Sequence, residues 1–428
     1  MQEILFGYKL NPTTWAYISA LMMVGIYFKF HRFWSIRNLD LIGLLCFSPG
    51  FLLVYYGLLN QKEELVRNGY IWLFAVNGFF LIRLLVDSLM VRRPLLDPNL
   101  SASGLTFTGA SLLIFLMANV ITNPAERLEN LLSNQDAAVV ANPNPGYQPF
   151  QDFAKEVGRP TPPLDPARPD VYRAAFLRSV TTRSATIFAH LLIVSGMVWI
   201  GFRHFDNIHT GVAAATLYLL TFYTSQMTRQ IDHVAPAALL VWAVAAYRWP
   251  VIAGILVGAA AGLIYYPLFL LPLWCSFYWR RGLVRFLVAV AVVLLLMVAS
   301  LALTSPDVAS FFAQVKQMFG LRNPLNVQVT GLWHYLKDDY RVYRLPVIAA
   351  FAVVSAGLAF WPAQKNFGTL LACSAAVLLA TQFWLADEGG LVMGWYLPLL
   401  ILTIFRPNLE DRVALSAVQP AWGRRKKS

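Results

Sequence analysis

The sequence predicts an all-α polytopic membrane protein with about 12–13 transmembrane helices, on three observations. Of its 428 residues 58% are hydrophobic and 13% charged, whereas soluble domains are nearer one half apolar and one quarter charged. The apolar residues gather into runs of about 17 to 22, the length that crosses a hydrocarbon core as helix, rather than into amphipathic stripes. Lys and Arg fall singly or in short clusters between the runs. That placement sets topology and excludes a basic face for nucleic acid, despite a formal net charge of +12.

The first run, Thr14 to Phe28, follows a start, MQEILFGYKLNP, that lacks a basic n-region. No small-residue cleavage site follows it, so it reads as a retained helix. The next runs are Leu39 to Leu59, Asn68 to Met90, Leu105 to Ile121, Ala185 to Phe202 and Gly211 to Thr224. A second set covers Val234 to Tyr247, Val251 to Trp279, Leu283 to Leu303, Pro346 to Trp361, Gly368 to Ala386 and Leu391 to Phe405. Cys46, Cys275 and Cys373 all sit inside these runs, where a thiol behaves as a small hydrophobe. No disulfide framework or metal spacing is present.

The organisation predicted is a single transmembrane helical domain over residues 1–428 with three appendages. Residues 123–184 form a Pro-rich external loop, because eight prolines between Pro143 and Pro169 break helices and remove donors, leaving room for one short helix near Ala125 to Leu132. Residues 304–344 form a second external loop. It opens with Ser305, Pro306 and Asp307 as a helix start, after which Val308, Phe311, Phe312, Val315 and Phe319 recur at helical spacing. Such a helix lies flat in the membrane interface or packs on the bundle, and the pattern fits both. Residues 406–428 form a basic cytoplasmic tail ending in Arg424, Arg425, Lys426 and Lys427.

Orientation follows from the rule that cytoplasmic loops collect Lys and Arg. Lys29, Arg32 and Arg37 follow the first run, Arg92 and Arg93 the third and Arg203 the fifth, which puts the N-terminus outside. The cluster Arg280, Arg281 and Arg285 joins them inside only if Val251 to Trp279 passes out and back. The Tyr266–Pro267 step supplies a break at its middle, since proline removes a helix hydrogen bond and strains the preceding turn. About thirteen crossings result, against twelve if that run crosses once.

Four constellations stand out. Gly254, Gly258 and Gly262 make a small-residue face for close helix packing. Arg83 and Asp87, four apart, can pair along one helix. The turn from Ser225 to His233 is unusually polar: Arg229 could hold a phosphate, and Asp232 or His233 could deprotonate a hydroxyl, while a solvated turn in which Asp232 caps the next helix accounts for the same residues. In the second external loop Trp333, His334, Tyr335, Lys337, Asp338, Asp339, Tyr340 and Arg341 combine aromatic faces with paired charges, suiting either a sugar site or interfacial anchoring. Glu63 and Glu64 are the carboxylates of a short external loop, as a base or as a solvated face. His190 is the main ionisable group deep in a run. A Walker A pattern, HExxH and Cys/His metal spacing are all missing from the sequence, so no cofactor or metal is expected.

From residue 226 to 285 the chain reads QMTRQIDH, then APAALLVWAVAAYRWP, then AGILVGAAAGLIYYPLFLLPLWCSFYWRRG. This resembles the GT-C superfamily of polytopic glycosyltransferases, whose bacterial mannosyltransferase-like members show a polar turn, a helix, a small-residue helix, an aromatic-proline break and a basic turn. The resemblance implies a GT-C-like bundle in the plasma (inner) membrane. It further implies transfer of a sugar from a polyprenyl-phosphate donor to an acceptor on the outer face, with an external carboxylate as base. Asp232, Glu63 and Glu64 are then the catalytic candidates, and Arg229, His233, Trp333 and His334 the substrate-binding ones, with membrane lipid and a lipid-linked sugar donor as partners. This chain departs from the superfamily in its short loop at Glu63 and Glu64, its N-terminus outside, and Tyr265 or Tyr266 where a lysine often precedes the break. A non-enzymatic transporter or flippase and a membrane scaffold are the rival classes.

Overall fold

Every apolar run read from the sequence is wholly or partly helical. The computed structural model describes residues 11–87, 89–90, 96–122, 170–321, 331–336, 342–363, 365–385 and 389–407, with backbone alone for 122 and 170–181. In chain order the α-helices are α1 Pro12–Tyr27, α2 Ile36–Leu45, α3 Phe47–Leu59, α4 Glu63–Asp87, α5 Ala102–Thr122, α6 Asp170–His204, α7 Ile208–Leu220, α8 Phe222–Gln226 and α9 Ile231–Ala245. They continue as α10 Pro250–Leu263, α11 Leu271–Phe277, α12 Leu283–Thr304, α13 Val308–Met318, α14 Leu332–Tyr335, α15 Arg344–Phe360, α16 Phe367–Thr381 and α17 Leu397–Phe405. No strand occurs among the described residues. Five stretches, Ile36–Leu59, Glu63–Asp87, Ala102–Ile121, Thr182–His204 and Leu283–Thr304, are long and apolar enough to cross a bilayer, so the protein is an integral multi-pass membrane protein.

Local chemistry explains the helix limits. Asn11 caps α1 by accepting the Thr13 N–H at 3.0 Å, with Pro12 in the first turn. Asn366 and Thr369 form a reciprocal capping box at the start of α16. Three limits differ from the sequence reading. Helix α6 begins at Asp170, inside the segment read as loop to 184. The run from Gly211 to Thr224 divides at Thr221, whose backbone is extended. The run from Leu391 to Phe405 is helical only from Leu397: residues 389–396 are buried but irregular, and Gly390 takes a left-handed φ of +88° where a Cβ would lie 2.8 Å from the Phe74 ring. The short helix expected near Ala125 to Leu132 and the tail 408–428 lie outside the described residues.

The break at Tyr266–Pro267 is present and reverses the chain. Helix α10 stops at Leu263, a 3-10 turn covers Tyr266–Leu270, and α11 runs back. Tyr278 Oη donates to the Tyr247 carbonyl at 2.6 Å, and a Cβ on Gly282 would lie 2.7 Å from Pro250 Cγ, so both ends of this segment meet at one end of the bundle. Helix α12 then runs parallel to α10. The three glycines face it as the sequence predicts: a Cβ on Gly254 would meet the Phe286 carbonyl oxygen at 2.5 Å, and one on Gly262 would meet Met297 Sδ at 2.0 Å.

Two chemically different ends result. At one, which we call the arginine end, Arg83 donates to both oxygens of Asp40 at 2.8 and 3.0 Å and to Asp87 at 2.9 Å. Arg406 donates to Asp87 at 2.6 Å, and Arg37 reaches the carbonyl oxygen of Arg406 at 3.2 Å. All five side chains are buried. The pair Arg83 and Asp87 read from spacing is thus the centre of a larger network that ties α2 and α4 to the exit of α17. Thr13 of α1 bonds Tyr56 at the opposite end, while Arg406, just after α17, bonds Asp87 at the arginine end.

Candidate functional site

The opposite end is built from aromatic rings and short polar turns. After α7 the chain makes α8 and the turn 227–230 before entering α9. His190 on α6 holds this turn: its Nε2 is 3.1 Å from the Thr228 carbonyl oxygen, and its Nδ1 is 3.2 Å from Tyr218 Oη. That lone histidine is satisfied by its neighbours, as a structural histidine would be.

Helix α9 carries Pro236 in its interior. Proline has no N–H, so the carbonyl four residues earlier, that of Asp232, loses its intrahelical partner. Trp395 replaces it, donating its indole Nε1–H to the Asp232 carbonyl at 2.9 Å. The indole thereby fixes the backbone of a residue whose carboxylate is exposed. Next to it His233 is buried, with Nδ1 2.8 Å from Tyr223 Oη, while the Gly394 N–H donates to the same hydroxyl at 2.8 Å. The hydroxyl accepts the Gly394 N–H and shares a hydrogen bond with the His233 ring, so the three groups hold one another in place. Gly394 must be small, because a Cβ there would lie 2.7 Å from the His233 carbonyl oxygen.

The irregular segment before α17 therefore organises the site. Its rings continue inward: Trp395 stacks on Tyr266 at 5.0 Å between centroids, Tyr266 meets Trp384 at 5.5 Å, and Trp384 packs edge-on to Phe269 at 5.7 Å. Gln382 Oε1 accepts the Val392 N–H at 3.2 Å and ties the two sides of the segment together. Arg344 Nε donates to the Trp384 carbonyl at 2.7 Å.

The described candidates for catalysis and binding, Arg229, Asp232, His233, Trp333, His334, Glu63 and Glu64, lie at this end. Arg229 is half-buried in the polar turn, one turn from Asp232. Trp333 is buried against Leu336 and Val347 and donates Nε1–H to the Phe383 carbonyl at 3.1 Å, so its edge is already engaged. His334 is exposed and packs edge-on to Tyr335, whose ring stacks on Tyr70 of α4 at 5.9 Å. Glu63 and Glu64 are exposed in the first turn of α4, two turns before Tyr70. Their join to the rest runs through Tyr70 and Tyr335, whereas Arg229, Asp232 and His233 share one turn. Lys337, Asp338, Asp339, Tyr340 and Arg341 lie outside the described residues. Among the described residues no group of three or more His, Cys, Asp or Glu is placed to hold a metal ion.

Sequence reasoning missed Tyr223, Trp384, Gly394 and Trp395. The signal for Trp395 was Pro236, which sits four residues after Asp232 and announces a carbonyl in need of a donor from elsewhere.

A family model described as glycosyltransferase family 87 matches residues 171–393, more than half of the 428-residue chain. The match contains Arg229, Asp232, His233, Trp333 and His334, and it leaves out Glu63, Glu64 and the whole buried arginine network. No curated protein and no solved structure matches the chain.

Proposed function

The chain belongs to glycosyltransferase family 87, and from that premise we propose that it moves a sugar from a polyprenyl-phosphate donor to an acceptor hydroxyl at the aromatic end of the bundle, with Asp232 as general base. The observation that carries this reading is the exposed Asp232 carboxylate on a backbone held by Trp395, beside Arg229 and inside the matched segment. Glu63 and Glu64, exposed but outside that segment, are the second choice.

In the reaction the acceptor oxygen attacks the anomeric carbon and gives its proton to Asp232. The bond from that carbon to the phosphate oxygen breaks, and the polyprenyl phosphate leaves with the electron pair. Arg229 neutralises the charge gathering on the phosphate. His233, locked by Tyr223, shapes the floor beneath them. The exposed His334 forms the rim toward the acceptor, with the buried Trp333 packed beneath it.

The aromatic end faces the outer side of the plasma membrane in this reading. Support comes from the basic residues, since Arg37 and Arg406 join the arginine network and the Arg280–Arg285 turn lies beside Pro250 and Tyr247 at the same end. The test is separate substitution of Asp232→Asn, Glu63→Gln and Glu64→Gln in purified protein given polyprenyl-phosphate sugars. Loss of transfer in Asp232→Asn alone is the expected result. Full transfer by all three variants would sink the carboxylate mechanism.

A further inference from the structure

Helix α13 has a face that the transferase reading leaves unused. It follows α12, whose side chains are mostly turned outward: Val284, Val288, Val292, Leu295, Leu296 and Leu303 are exposed, the last at 88%. After Thr304 the chain turns, with the Ser305 hydroxyl 2.6 Å from the Leu301 carbonyl oxygen and 2.9 Å from Gln314 Oε1, and α13 folds alongside. Its inward face is Phe311, Gln314, Val315 and Met318. Its outward face is Val308, Ala309, Phe312, Ala313 and Lys316, with Val308 71% and Phe312 57% exposed. The sequence suggested a single apolar face, but the structure divides the apolar residues between protein and surroundings.

An outward stripe of apolar residues ending in a lysine, continuous with the lipid-facing side of a membrane span, matches one partner chemistry: the boundary between acyl chains and headgroups. The far end of α13 is also wired to the site. Met318 is fully buried under Gly262, and Gly320, with a left-handed φ of +63°, presses its backbone on Tyr265 so closely that a Cβ would lie 2.6 Å from the ring. Tyr265 Oη donates to Tyr266 Oη at 2.8 Å, Tyr266 stacks on Trp395, and Trp395 holds the Asp232 carbonyl left open by Pro236.

We infer that α13 seats in the lipid interface and that the chain from Gly320 through Tyr265, Tyr266 and Trp395 passes its seating to the Asp232 turn, making Trp395 a positioning residue for the site. The bilayer surface thus sets the geometry of the turn that the transferase reading uses. Neither measurement below needs a sugar donor, so this inference and the transferase reading can fail separately.

The first measurement places an environment-sensitive fluorophore on Phe312→Cys in full-length protein lacking Cys46, Cys275 and Cys373, in vesicles of phosphatidylcholine and phosphatidylglycerol. Quenching by doxyl groups on the acyl chains, with protection from aqueous iodide, is expected. Quenching by iodide instead overturns the seating. The second follows the labelling rate of Asp232→Cys by a membrane-impermeant thiol reagent in the same vesicles. Adding Phe312→Asp changes that rate about fivefold, and Trp395→Phe makes it insensitive to Phe312→Asp. Val308→Asp, one turn away and also exposed, gives the same change if the Phe312 variant expresses poorly. A rate unmoved by both aspartates overturns the coupling.

Discussion

The two ends of the bundle handle charge in opposite ways. At the arginine end Arg37, Asp40, Arg83, Asp87 and Arg406 are all buried, and salt bridges of 2.6 to 2.9 Å join Asp40 and Asp87 to Arg83 and Arg406. At the aromatic end the packing is dominated by rings, the buried Arg344 bonds the Trp384 carbonyl, and Asp232, Glu63 and Glu64 are exposed. A charge withdrawn from water must have its partner built in, and once paired it is committed to holding the fold. A carboxylate left accessible on a fixed backbone keeps its capacity to take a proton. Under the proposed mechanism, burial with a partner and exposure on a held turn separate the acids that hold the fold from the one that takes a proton.

The sharpest way to break this contrast is to remove one member of the network. Asp87→Ala leaves Arg83 and Arg406 without their shared carboxylate and should cost about 3–5 kcal/mol of stability, seen as a large fall in the thermal midpoint in detergent. An unchanged midpoint would show that the network is ornamental. Asp232→Asn should act the other way, lowering the transfer rate roughly 10²–10⁴-fold with the midpoint unmoved.

A finer test uses the carbonyl that Pro236 leaves open. Trp395→Phe keeps an aromatic ring but deletes the N–H and part of the buried indole, with an expected cost of about 1–3 kcal/mol in stability. Pro236→Ala restores a backbone donor, so the double variant should lose less than Trp395→Phe does alone. Equal losses in both backgrounds would mean that the indole bond contributes nothing through Asp232. The smallest expected effects are those of Glu63→Gln and Glu64→Gln, within about 0.5 kcal/mol of wild-type stability because both side chains are exposed. A midpoint drop beyond that range in either would place an acid of the first kind at the aromatic end.

What the sequence could reveal follows from distance along the chain. The apolar runs, the reversal at Tyr266–Pro267 and the packing face of Gly254, Gly258 and Gly262 are local patterns, and each is present. The i,i+4 pair of Arg83 and Asp87 was also legible. Asp40 and Arg406, which bond the same two residues from 43 and 319 positions away, were not, because no spacing rule links them. The candidate site divides the same way. Arg229, Asp232 and His233 are visible as one polar turn, while Trp395 reaches Asp232 across 163 positions and Gly394 reaches Tyr223 across 171. Residues 391–396 read as the start of a helix because they are apolar; the tight packing of Gly394 on α9 and the left-handed Gly390 before them keep them irregular.

The most direct test of this division of labour measures thermal midpoint and transfer from a polyprenyl-phosphate sugar in the same purified samples of Asp87→Asn and Asp232→Asn. The account predicts a lowered midpoint for Asp87→Asn with transfer per folded molecule retained, and an unmoved midpoint for Asp232→Asn with transfer lost. Transfer that survives in Asp232→Asn, or a midpoint that falls as far there as in Asp87→Asn, would contradict it.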